Sequence, residues 1–214
     1  MRERTFLILV PVIRELDAAA HAKVVIPGYQ RKGLQMIGEL AMTKLDFLSL
    51  LNSIDFPRHY WDLCDRFPFA PNGNASSGRK KDILAAFAEM GIIPRYYSRG
   101  NPCFTFEEEQ IGGFIWHGAF VEQRHGGVEL CFTGKSGESV VGSNFAVMAY
   151  DAKRFADPTF QRDKFKGPPP YPRPVHNGDP IALREIVKAH VALVREIKLA
   201  IKRKEAGNQE PRPL

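Results

Sequence analysis

The stretch Arg79–Phe106, RKKDILAAFAEMGIIPRYYSRGNPCFTF, decides how the rest of the chain is read. Ile83, Leu84, Phe87 and Met90 fall at i, i+1, i+4 and i+7, which is one face of a helix. Asp82 sits in the first turns, where the positive end of the helix dipole favours a carboxylate. Gly91 stands where a left-handed residue ends a helix, and Pro94 prevents the helix from resuming. Ile92 and Ile93 leave as strand, and Cys103–Phe106 return with both phenylalanines on one side. The spacing therefore predicts a helix, a glycine stop and a two-stranded hairpin. Arg79, Lys80 and Lys81 open the helix, and Arg95 and Arg99 flank Tyr96 and Tyr97 in the hairpin.

Upstream, Gln30–Ser53 is helical by periodicity, with a break near Met42. Thr43 and Asp46 form a capping pair for a helix whose apolar face is Phe47, Leu48, Leu51 and Ile54. Asp55 reads as the N-cap of a further short helix, Arg58–Phe67, with Pro57 in its first turn. Pro68 and Pro71 stop it, and Asn72–Gly78 is a polar loop. The order from Thr43 to Phe106 is thus helix, helix, loop, helix, hairpin. Its segment ILAAFAEMGIIPRYYSRGNPCFTF resembles the recognition-helix-and-wing portion of winged helix-turn-helix proteins. That resemblance implies DNA binding. The start of the third helix, with Ser76, Ser77, Arg79, Lys80 and Lys81, would enter the major groove, and the wing residues Arg95, Tyr96, Tyr97 and Arg99 would meet backbone or minor groove.

Downstream the pattern changes. Glu107–Gln110 is an acidic run that either extends the strand or, in the preferred reading, forms a solvated edge. Phe114–Glu122, Val128–Thr133 and Val140–Tyr150 read as strands of an antiparallel meander, with turns at His125-Gly126-Gly127 and Gly134–Ser139. Lys166–Val175, KGPPPYPRPV, favours polyproline II and reads as a linker over the surface. Asp179-Pro180 starts a long helix whose Leu183, Ile186, His190, Leu193, Ile197 and Ala200 follow heptad positions, and Gly207 ends it. The expected fold is α+β: a helical N-terminal half with a winged-helix-like segment at 43–106, a central β-meander and a long C-terminal helix. A division into 1–110 and 111–214 is expected near Glu109–Gly113, with one domain over 1–214 as the alternative.

The composition narrows the function classes. A chain of 214 residues that is 44% hydrophobic and 11% aromatic has enough apolar side chains for a core. A net charge of +6 and a pI near 9.3 suit an acidic partner without demanding one. Three widely spaced cysteines do not make a disulfide framework, so a reducing cytoplasm is expected. The apolar run Phe6–Ile13 is far short of the roughly 20 residues a membrane span needs, and Arg14, Glu15 and Asp17 follow it. Whether Thr5–Ile13 is strand or helix stays open.

Chemistry-bearing residues are present without a chemical spacing. His117, His125, Cys103 and Cys131 are the right types for zinc or a thiol nucleophile, but no close Cys–Cys or His–His pair supports either. Gly134-Lys135-Ser136 lacks the glycine-led run of a phosphate loop and reads as a hairpin turn. No catalytic residue, metal or cofactor is therefore named. The expectation is a non-enzymatic cytoplasmic protein, regulatory in role, that binds DNA through Ser77, Arg79, Lys80, Lys81, Arg95, Tyr97 and Arg99. The alternative is a protein–protein interaction or inhibitor module that neutralises another protein. The apolar stripe of the last helix is expected to pack on its own domain, with a seam for a homodimer as the alternative.

Overall fold

Helix α1, Lys44–Ser53, opens on the capping box that its sequence announces. The Asp46 amide donates to Thr43 Oγ1 at 3.1 Å, and the Thr43 amide donates to Asp46 Oδ2 at 3.1 Å. Helix α2, Phe56–Arg66, starts differently from expectation. Asp55 holds the N-cap position but is left-handed, with φ 53°, and makes no cap hydrogen bond. Its carboxylate instead meets Arg58 Nε at 2.6 Å, and Pro57 fits the first turn because that turn needs no amide donor there. Helix α3, Lys80–Glu89, ends in a Schellman motif: Gly91 donates to Ala88 O and Ile92 to Phe87 O, each at 2.9 Å. Gly91 has φ +73°, which is why a glycine stands there.

The computed structural model describes residues 42–70, 80–97, 103–123, 126–160 and 172–209. These belong to one compact unit, Ala41–Leu214. The readings of Thr5–Ile13, Gln30–Leu40, Asn72–Gly78 and Lys166–Tyr171 lie outside the described residues.

Five antiparallel strands follow in meander order: β1 Arg95–Tyr97, β2 Cys103–Ile111, β3 Phe114–Glu122, β4 Val128–Ser136 and β5 Ser139–Asn144. The hairpin expected as a wing, β1–β2, is the edge pair of this larger sheet. The acidic run is not a loose edge, because β2 continues through it to Ile111 and pairs with β3 throughout. A bulge between Phe106 and Glu108 resets the pleat. Phe104 and Phe106 face inward before it, and Ile111 faces inward after it. The reset also turns Glu109 to the helix side, where Lys198 and Lys202 hold its two oxygens at 2.7 and 2.9 Å. The sheet runs through Glu109–Gly113 without a break, by a turn in which Gly112 and Gly113 both have φ +67°.

A second departure lies at Val140–Tyr150. Strand β5 ends at Asn144, and helix α4, Phe145–Ala156, begins at once. Asn144 Oδ1 accepts from the Val147 amide at 2.9 Å, an N-cap that ends the strand. Phe145, Met148, Ala149 and Ala152 then lie at helical spacing and are all buried.

One face of the sheet carries the core. Phe104, Phe114, Trp116, Phe120, Leu130 and Phe132 alternate inward along β2 to β4 and meet the helices. Helix α5, Pro180–Gln209, closes this layer. Asp179 Oδ1 accepts from the Ile181 amide at 2.8 Å, as the sequence expects of an N-cap. Leu183, Ile186, His190, Leu193 and Ile197 are buried, so the stripe that the sequence offers as a dimer seam packs into the chain's own core.

Candidate functional site

The basic face is assembled from the start of α3 and the edge strand β1. Lys80 Nζ stands 3.9 Å from the centroid of the Tyr96 ring, a cation–π contact that joins the two elements. Tyr96 points inward and lies 4.9 Å from Phe104. Strand alternation sends its neighbours Arg95 and Tyr97 to the outer face, so Lys80 and Arg95 flank β1 from opposite sides. Lys81 and Arg95 are exposed and, among the described residues, form no ion pair, while Tyr97 is 54% exposed. Ser77, Arg79 and Arg99 lie outside the described residues. The structure thus brings Lys80, Lys81, Arg95 and Tyr97 around one sheet edge.

Many other cations are already matched. Lys44 pairs with Asp151 at 3.8 Å and Lys204 with Asp46 at 2.8 Å. Arg184 and Lys188 share Glu89, and Lys198 and Lys202 share Glu109. The lysine bonds hold the Glu89 and Glu109 carboxyls below the ordinary carboxylate range. Asp82, the other acid on α3, is buried.

Among the described residues the candidate histidine and cysteines do not converge in one cluster. Cys103, His117 and Cys131 share the outer sheet face, but Ala119, not His117, is opposite Cys131 in the register. Burial pushes the Cys131 thiol up to about 12 and raises Cys103 as well, so both stay protonated. His125 lies outside the described residues. Among the described residues no group of three His, Cys, Asp or Glu side chains is placed to hold a metal ion.

A buried polar clasp went unread in the sequence. The segment 172–179, just before α5, ties the end of α2 to the β3–β4 turn. Val175 donates to Phe67 O at 2.8 Å, and Val128 donates to Pro174 O at 2.9 Å. Asn177, left-handed at φ 50°, donates to Pro68 O at 2.9 Å and accepts from the Ala70 amide at 3.1 Å. His176 and Glu122, each 1% exposed, meet at 2.8 Å. His176 Nδ1 accepts from the Gly178 amide at 3.0 Å, so Nε2 carries the proton and donates to Glu122 Oε1. Both ring nitrogens are thereby used, which leaves this histidine no capacity as a general base. Arg173 lies beside Glu129 at 3.5 Å, also buried. The one local signal was Asn177-Gly178, a dipeptide suited to two positive φ values, here 50° and 82°.

A groove of ≈ 350 Å³ opens where α3 ends against β2 and α5. Ile92, Phe106, Val191 and Val194 line its floor, and Arg195 and Lys202 its rim. Among the described residues no helix is long and apolar enough to cross a membrane. The chain matches no protein-family model, and no curated protein or solved structure was found to be similar to it.

Proposed function

We propose that this is a non-enzymatic, cytoplasmic nucleic-acid-binding protein that uses the edge formed by α3 and β1. The observation that carries the reading is the Lys80–Tyr96 contact at 3.9 Å, which makes one surface of two elements whose exposed cations Lys81 and Arg95 form no ion pair among the described residues. Phosphate groups are the natural counter-charge for such a cluster, and the chain's net charge of +6 adds long-range attraction. The element order helix, helix, helix, hairpin is that of the winged-helix reading and supports it in sequence order alone, since the hairpin is the edge of a five-stranded sheet. Three free thiols accord with a reducing compartment.

Fluorescence anisotropy with a labelled oligonucleotide tests the proposal. Binding should weaken steeply as salt rises, and Lys81→Ala with Arg95→Ala should lower the salt slope by about 2. Binding that ignores salt, or none at all, would sink it.

A second reading is a protein-docking or inhibitor module. It is favoured by the groove and by two apolar side chains beside it, Ile93 at 95% and Leu199 at 53% exposure. It predicts one nuclease-resistant partner that Leu199→Glu releases and Lys81→Ala does not.

A further inference from the structure

We infer that the nucleic acid this edge takes is single-stranded, with a base stacked on Tyr97; the inference rests on the nucleic-acid reading above. The first ground is what α3 lacks. Its inward face, Asp82, Ile83, Ala86 and Phe87, is buried. Beyond the first turn its more accessible positions are Leu84, Ala85, Ala88 and Glu89. The first three carry no hydrogen-bonding group, and Glu89 is engaged by Lys188 and Arg184. Duplex sequence is read by donors and acceptors that reach base edges along a helix, and this helix offers them at one end only. Lys80 and Lys81 can meet phosphates as point charges but cannot carry a base-reading row.

The second ground is what β1 offers. Tyr97 is the more exposed of the paired tyrosines and stands on the outer sheet face beside the exposed cation Arg95. The residues that follow these two across the sheet are small or medium-sized. Tyr97 is opposite Cys103, which is opposite Val121; Arg95 is opposite Thr105, which is opposite Ala119, which is opposite Cys131. On β4 the Tyr97 row goes on to Glu129, which Arg173 meets at 3.5 Å; the residues named here carry no charge at neutral pH, since both thiols are held protonated. A neutral shelf about 10 Å across, the width of three strands, therefore borders one exposed ring. An unpaired base has a free π-face for such a ring, whereas a base inside a duplex is already stacked on both sides. Arg95 on one side of the edge strand and Lys80 with Lys81 on the other are placed to follow a bending single backbone.

The test uses the full chain and three probes of one sequence: a labelled 15-mer DNA, its RNA counterpart and the DNA duplex, at matched salt. The single strands should bind at least tenfold more tightly than the duplex. Tyr97→Ala should weaken single-strand binding about tenfold, Tyr97→Phe should restore most of it, and neither should change duplex binding. Far-UV circular dichroism shows that the variants are folded. Duplex binding as tight as single-strand binding, or a Tyr97→Ala variant with unchanged affinity, overturns the inference and leaves the nucleic-acid reading standing. No binding to any of the three overturns both.

Discussion

The clasp at 172–179 and the edge at α3–β1 are both polar, and they treat their polar groups in opposite ways. In the clasp, His176 spends both ring nitrogens on protein atoms, and Asn177 spends its side chain on Pro68 and Ala70. At the edge, Lys81 and Arg95 are exposed and pair with no carboxylate among the described residues. Burial explains the difference. A polar group taken out of water loses several kcal/mol, on the order of 2–7, unless a partner replaces the water, so most buried polar groups have one. An exposed cation suffers no such loss and can wait for an external anion. A buried cluster whose members bond one another thus points to structure, and one that faces solvent to a partner.

That contrast can be broken first at the clasp. His176→Ala leaves the buried Glu122 carboxylate without its 2.8 Å donor, and should lower unfolding free energy by about 3 kcal/mol. Urea denaturation followed by circular dichroism measures it. A loss below about 1 kcal/mol would mean that the pair is replaceable by water and that the distinction between the two regions is weaker than drawn.

A comparable effect is expected from acid at His190. Its Nδ1 lies 2.9 Å from Ile186 O, so the proton is there and Nε2 has no partner. The ring is enclosed by Tyr60, Phe120 and Phe145, the last stacked at 5.5 Å. Burial holds its pKa down to about 4, against 6.5 for the ordinary group. The unfolded chain therefore binds the proton more readily. This contribution to stability is complete above about pH 6.5 and is lost as pH falls towards 4, by about 3 kcal/mol in all. His190→Leu should flatten that part of the stability-versus-pH curve. A wild-type curve with no slope between pH 6.5 and 4 would refute the assignment.

Smallest of all should be the effect of the edge on stability. Lys81→Ala with Arg95→Ala removes exposed groups that form no ion pair among the described residues, so unfolding free energy should shift by no more than about 0.5 kcal/mol while oligonucleotide binding falls. A large loss of stability would show that the edge, like the clasp, is held by contacts within the chain.

Local signals were legible where the chain's own neighbours decide the outcome. The Thr43–Asp46 box, the Gly91 stop and the Asp179 cap each depend on residues within a few positions, and each appears as read. Asn144 was equally local but was masked by the apolar run Val140–Tyr150, in which a strand and a helix start look alike until the cap is noticed. Asp55 shows the limit of cap residues, since its carboxylate found Arg58 instead of an amide. Of the edge, Lys80, Lys81, Arg95 and Tyr97 were named from charge and position alone. That Lys80 lies on Tyr96, and that Arg95 and Tyr97 face outward, depends on a strand register that no residue states by itself.

By itself the sequence determined the α+β class, the helix starts at Thr43 and Asp179, the stop at Gly91, most of the meander and the basic character of Arg79–Phe106, because periodicity, capping and turn chemistry act over a few residues. Only the tertiary structure decided that the acidic run lies in a strand and feeds Lys198 and Lys202, that the last helix spends its stripe inside, and that Glu122 meets His176 across 54 residues. Those outcomes depend on which surfaces become buried together. Burial sets the cost of leaving a polar group alone, and that cost is invisible until the chain has folded.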